Sequence, residues 1–422
     1  MSSFIKPVVA SIGVASLGLV ALGGLFIEQS SAPEEAQATV APEPIEIAAA
    51  PSAAPSEILP EVEPSRPNLG FRPLTDPFGP WPLDGRKTEL TFVQLSDTHV
   101  GHDKDHETFE RAINVINRMN PRPAFVVISG DLTDHFSPPQ IKLFKKLLAK
   151  LKVPVNIVPG NHDGMFSPTQ KRRSWWSREF PEVKTPYRAD HGPVTIIGVD
   201  SQLWNARNRS RDVAQVASQQ WAQMEALISQ ARADGQRVMV LNHIPAVPTF
   251  YPARLAQSWT TPRMHAYLDM LDRHGVEAEL SGHVHRDEAY VHNKTFFLTA
   301  PPISQKYTRN ASLRHFRVTD QGLMYRQIYL YRHGEHLSYE FDLHGVDEAN
   351  FAAWIDTMSQ RELARLWSYR YAGDSMTERW FPKLDFAMFR SYLKEPFEHQ
   401  PIGKVSQRFK RRRAPRGRRR GL

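Results

Sequence analysis

The 422-residue chain contains no cysteine. That excludes a disulfide framework and any thiolate metal site, so a transition metal here must be held by nitrogen and oxygen donors. Acidic residues are missing from one end and basic residues from the other. Between Glu28 and Ser65 stand eight acidic and no basic side chains, and from Arg408 to Leu422 nine basic and no acidic ones. The net charge of +8 therefore describes a mildly basic body between an acidic stalk and a basic tail, not a domain built throughout for nucleic acid. Long uncharged apolar runs are also scarce. The one of membrane length is "PVVASIGVASLGLVALGGLFI", 21 residues from 7 to 27.

That run is long enough to span a bilayer, and Lys6 before it with Glu28, Glu34 and Glu35 after it orients the N-terminus to the cytoplasm. It exceeds the length of a signal-peptide core, so residues 1–27 are read as an uncleaved anchor. Cleavage after Ala36-Gln37-Ala38 is the alternative, giving a secreted protein. Either way the body is expected on the periplasmic, extracytoplasmic side, the anchored form as a single-pass inner-membrane protein. Residues 28–72 are Ala, Pro and Glu in low-complexity order and cannot bury enough apolar surface to offset their ordering entropy, which predicts a disordered stalk.

From Lys87 the pattern becomes α/β. Apolar runs at 89–96, 124–129, 154–159, 194–200, 237–242 and 276–281 read as strands. Helices are expected over 107–119, 139–151, 213–233 and 262–274, with hairpin strands near 287–299, 314–319 and 323–331. The domain is placed at 87–333, followed by a helical extension over 334–404 and a basic disordered tail over 405–422. The tryptophans of "SWW" (174–176) are assigned to core packing rather than to an aromatic wall over a site.

Histidine, by contrast, is abundant at seventeen residues, and its placement carries the chemistry. Five predicted strand ends bear polar clusters: Asp97-Thr98-His99, Gly130-Asp131-Leu132-Thr133-Asp134, Gly160-Asn161-His162-Asp163, Asn242-His243 and Gly282-His283-Val284-His285. Each alone is an ordinary polar turn. Together they gather carboxylate, amide and imidazole where α/β sheets bind ligands, at the carboxyl ends of strands. Such donors suit two divalent cations clamping a phosphoryl group. His102, Asp103 and His106 follow the first cluster and read as solvated loop residues.

In that order the clusters resemble the calcineurin-like metallophosphoesterase family, over about residues 90–332. The resemblance implies a β-sandwich flanked by helices in four layers, αββα. It implies a dinuclear centre of manganese, iron or zinc, with metal-bound hydroxide as nucleophile on phosphate mono- or diesters. By position, Asp97, His99 and His285 would bind one metal, Asn161, His243 and His283 the other, and Asp131 would bridge. His162 would assist the leaving oxygen and Asp134 would orient His162. The protein phosphatases of this superfamily carry Arg-Gly after the second aspartate and Glu after Asn-His, where this chain has His135-Phe136 and Asp163. Purple acid phosphatases carry a tyrosine that 132–135 lacks. "GVDSQLW" (198–204), "NHIP" (242–245) and residues 313–330 loosely resemble the bacterial phosphodiesterase and phosphatase branch.

The expected partners are a small phosphate ester at the site and an anionic lipid or cell-envelope polymer at the tail, with nucleic acid ranked behind them. A competing reading makes the protein a non-catalytic, membrane-tethered envelope adaptor.

Overall fold

Apolar runs bounded by turn residues become short strands here, and covering both faces of a strand removes the alternation that one-sided burial would leave. The computed structural model describes residues 72–163, 170–204, 211–246, 261–305, 311–331, 338–371 and 385–394. The apolar run 7–27, the stalk up to residue 71 and the tail 405–422 lie outside the described residues. No helix among the described residues is long and apolar enough to cross a membrane.

Two mixed sheets form the body. The first contains β1 (Arg72–Pro73), β2 (Thr88–Leu95), β3 (Phe125–Ile128), β4 (Val155–Ile157), β11 (Ser312–Thr319), β12 (Gly322–Tyr329) and β13 (Tyr339–Asp342). Its strand order is β1-β13-β12-β11-β2-β3-β4. The second contains β5 (Tyr187–His191), β6 (Val194–Gly198), β7 (Arg237–Leu241), β8 (Ala278–Ser281), β9 (Glu288–His292) and β10 (Thr295–Thr299), in the order β5-β6-β7-β8-β10-β9. Strands β2, β3 and β4 run parallel, as do β6, β7 and β8, so five of these strands send their carboxyl ends toward the polar clusters.

The core follows from side-chain alternation along β2. Phe92 faces the second sheet, stacked between Phe125 and Phe316 at ring distances of 4.8 and 4.5 Å. Val93 and Leu95 point the other way, into a cluster with Phe109, Ile113 and Ile116 of α1 (Asp105–Arg118) and Ile141 and Phe144 of α2 (Pro138–Leu148). The second sheet packs against α4 (Arg211–Ala233) and α5 (Thr261–Arg273). The result is a mixed α/β fold, two sheets flanked by helices.

The structure differs from the sequence reading at β1 and β5, which that reading leaves out, and in the elements that follow. A helix α3 (Gln170–Glu179) stands where only the tryptophan pair drew notice; Trp176 is buried in it against Phe136 and Phe180, in the core. Strand β13 lies beyond residue 333 yet completes the first sheet. Helices α6 (Glu348–Thr357), α7 (Gln360–Tyr371) and α8 (Phe386–Lys394) bury Phe351, Ile355, Leu363, Leu366 and Phe389 in the core shared with both sheets. The boundary at 333/334 is thus not a break in packing.

Candidate metal centre

After β2 and β3 the chain does not turn away at once. The two segments run on side by side, with Asp97 N donating to Gly130 O (3.0 Å), His99 N to Asp131 O (3.0 Å) and Val100 N to Leu132 O (3.1 Å). Along them Asp97, His99 and Asp131 adopt positive φ, at 49°, 40° and 51°. His283 and His285, beyond the end of β8, do the same at 71° and 57°. A strand-like His-x-His is therefore not what forms. Left-handed backbone costs an L-residue about 1–2 kcal/mol, and Asp, Asn and His tolerate it better than most. Five such residues converging on one place mark a site the rest of the fold holds in shape.

Each carboxylate has one oxygen tied and one turned inward. Asp97 Oδ2 accepts from Ser96 Oγ (2.5 Å) and His283 N (3.0 Å), while Oδ1 faces His285 Nε2 at 3.1 Å. Asp131 Oδ1 accepts from His162 N (2.7 Å), leaving Oδ2 3.3 Å from His243 Nε2 and 3.7 Å from His99 Nε2. His243 donates Nδ1–H to Ser129 O (2.7 Å), since a carbonyl can only accept. Its Nε2 then confronts Asn161 Oδ1 at 2.9 Å. His99 Nε2 and His285 Nε2 likewise oppose each other at 3.1 Å.

Two donor groups share Asp131, beside a third made of His99, Asp134 and His162. Asp97, His99, Asp131 and His285 each offer an atom within 4.8 Å of the others, and Asp131, His243 and His283 do the same. Asp131 belongs to both. Nitrogen and oxygen lone pairs aimed at one another at these distances are reconciled by a shared proton or by a metal cation, and imidazole with carboxylate and amide oxygen is a donor set for borderline divalent metals. The residues fit the group.

Without a metal the same electrostatics appear as proton affinities. Burial pushes the His99 and His283 imidazoles down to about 4 and about 3. Burial would lower His243 too, but the Asp131 carboxylate outweighs it and raises the ring to about 9. Burial would raise Asp97, but His285 and His243 bring it down to about 2.

His162 and Asp134 lie beside the first group. His162 donates Nδ1–H to the Asp134 backbone carbonyl (2.7 Å), and its ring stands edge-on to His99 with centroids 4.6 Å apart. The Asp134 carboxylate lies 3.5 Å from His99 Nδ1 and 3.7 Å from His162 Nδ1, and 3.0 Å from the exposed His135. His102 sits apart, its Nδ1 2.9 Å from Asp105, while the Asp103 carboxylate is exposed.

Sequence reasoning missed the residues that hold the loops. Asp163, treated only as a departure from a motif, is wholly buried and accepts from Gly160 N (2.9 Å), Leu132 N (3.0 Å) and Thr133 N (3.1 Å). It fastens the Asp131 segment to the Asn161 segment. Ser201 Oγ accepts from His243 N (3.2 Å) and Ile244 N (2.8 Å).

Comparison with known proteins finds similarity to phosphoesterases. Residues 90–287 match the calcineurin-like phosphoesterase family model. A probable glycerophosphodiester phosphodiesterase, GpdQ, of Arcobacter nitrofigilis is 27% identical over 227 residues, covering 50% of this chain and 77% of that protein. The serine/threonine-protein phosphatase CPPED1 of Homo sapiens is 26% identical over 232 residues, 51% of this chain and 71% of that protein. A dimetal phosphatase from Danio rerio superposes with a TM-score of 0.48 at 14% identity, over 61% of this chain and 100% of that one.

Proposed function

The chain belongs to the calcineurin-like phosphoesterase family and is a hydrolase acting on phosphoric ester bonds; from that premise we propose that it cleaves small phosphate mono- or diesters at a centre of two divalent cations bridged by Asp131. The observation that carries this reading is the Asp131 carboxylate, shared by two donor groups with one oxygen tied and the other facing both. Asp97, His99 and His285 complete one group; Asn161, His243 and His283 complete the other. Manganese, iron or zinc suits the donors. Bound there, such cations supply polarisation of the phosphoryl group and a more acidic water.

His162 is the residue for proton transfer. Its Nδ1–H is fixed on the Asp134 carbonyl, which reserves Nε2 for the leaving oxygen. The Asp134 carboxylate, near both His99 and His162, favours a proton on the Nδ1 of each ring and so keeps both Nε2 atoms toward the site. The relatives' names cover both a diester and a phosphoprotein, so chain resemblance does not choose between ester classes. Segments 164–169 and 247–260 lie outside the described residues.

Turnover of p-nitrophenyl phosphate and bis(p-nitrophenyl) phosphate is expected, lost on chelation and restored by manganese or zinc. Full turnover by thoroughly chelated protein would overturn the metal-dependent reading. Metal-loaded protein inert toward every phosphate ester offered would favour the adaptor instead. We also infer export of the body, tethered through residues 7–27, with the basic tail against anionic lipid or envelope polymer. The uncharged 21-residue run and the nine basic residues support this. Mass spectrometry of the mature N-terminus tests the tether, and a chain beginning at Thr39 would exclude it.

A further inference from the structure

Strand β9 begins three residues after His285 and lies at the edge of the second sheet, where among the described residues it pairs only with β10. An edge strand is free to shift unless something beyond the sheet holds it. Here the helices behind it do. Glu348 N donates to Asn293 O (2.9 Å), and Asn293 N donates back to Glu348 Oε2 (2.8 Å) at the β9–β10 turn. Arg370 of α7 donates Nη2–H to Ala289 O (3.4 Å), and Tyr392 of α8 packs edge-on against Tyr290 at 5.9 Å.

The lead-in to β9 is held from the opposite sheet. Asp287 forms an ion pair with Arg314 of β11, with both side chains almost wholly buried. Arg314 also donates to Glu288 O (3.1 Å) and Gln327 Oε1 (3.1 Å), with its guanidinium over the Tyr325 ring at 4.8 Å. Buried ion pairs cost so much desolvation that they seldom add net stability; what they fix is direction.

The direction matters because His283 and His285 hold left-handed backbone that relaxes unless both flanks are restrained. The upstream flank is tied by Gly282 N to His243 O (2.9 Å) and His283 N to Asp97 Oδ2 (3.0 Å). The downstream flank is tied by Asp287. We propose that Asp287 and Arg314, with helices α6 to α8 behind β9, are positioning residues for His283 and His285. The affinity of the site for divalent cations then depends on contacts that touch no cation. This rests on the metal-centre reading above and gives α6, α7 and α8 a part in it.

The test uses the full chain. The double variant Asp287→Leu with Arg314→Met removes the pair without leaving an unpaired buried charge. Manganese affinity is measured by calorimetric titration, beside the thermal midpoint of the metal-free protein. A merely structural role would lower that midpoint and leave affinity intact. The expected result is a midpoint near wild type and manganese binding weaker by about 10–100-fold. Wild-type affinity in the folded double variant overturns the brace. Should that variant not fold, Arg370→Met, which leaves the ion pair in place, is read instead, and unchanged affinity there overturns it equally. Wild-type protein that binds no manganese overturns the centre itself, and the brace with it.

Discussion

Asp131 uses its two carboxylate oxygens differently, and the division separates ligand from catalyst. Oδ1 accepts the His162 N–H, whereas Oδ2 faces imidazoles of both donor groups. In Asp131→Asn the negative charge disappears and either orientation of the amide mismatches one side: its NH2 meets a backbone donor or points at ligand nitrogens. Metal content and turnover are expected to vanish together. His162→Asn removes an imidazole whose side chain lies beside the first donor group, so metal is retained while turnover slows by about 10²–10⁴. Elemental analysis and turnover of the same preparations check both. An Asp131→Asn protein that keeps its turnover would remove the bridge, and a His162→Asn protein that loses metal would make His162 a ligand.

Strand ends, rather than strands, made the site readable. Runs such as "RVMVL" are bounded by turn residues and end in Asn-His or Gly-His, so β7 and β8 and their terminal ligands are visible without coordinates. β5, "YRADH", has no apolar run, and α3 begins "QKRR", so neither announces itself. Nor does a sequence display backbone partners: Asp163 and Ser201 act on N–H groups far along the chain, which carry no residue-type signature. The left-handed backbone at five candidate ligands was hidden for the same reason. What the motifs did display was glycine, and Gly282 shows why. A Cβ there would lie 1.8 Å from Ser96 Oγ and 2.6 Å from Asp97 Oδ2. Gly282→Ala should displace Ser96, break its bond to Asp97 and cost about 1–3 kcal/mol in urea unfolding, with manganese affinity falling at least about tenfold. Gly235→Ala is the control, strained at a left-handed φ of 76° but with open space around the added Cβ. It should lose stability and keep its affinity. Equal affinity losses in the two variants would count against a local role for Gly282.

For the whole molecule, buried titratable groups set how stability depends on pH once metal is removed. Burial lowers four imidazoles, His99 and His191 to about 4 and His283 and His315 to about 3. From about pH 4 to 6.5 the unfolded chain holds protons on these that the folded one lacks, so each contributes stability that rises with pH, at about 1.4 kcal/mol per unit when fully effective. Burial raises Asp105, and Asp163 and Glu279 to about 7, which opposes that rise without cancelling it. Above pH 6.5 the imidazole contributions are complete. Asp163 and Glu279 then lose theirs through about pH 7, and His243, raised to about 9 by Asp131 against the effect of burial, loses its own as pH climbs to that value. Below about pH 4, protonation of Asp97 and Asp131, both held low by neighbouring imidazoles against burial, removes stability again. The chelated protein should therefore show its highest thermal midpoint near pH 6.5 and fall on both sides. Excess manganese should raise the midpoint, because only the folded chain gathers the donors, and should move the optimum to higher pH, because a cation takes the place of the His243 proton. Calorimetric scans from pH 4 to 9 with and without manganese decide it; an optimum that manganese leaves where it was would mean that the cation does not bind at His243.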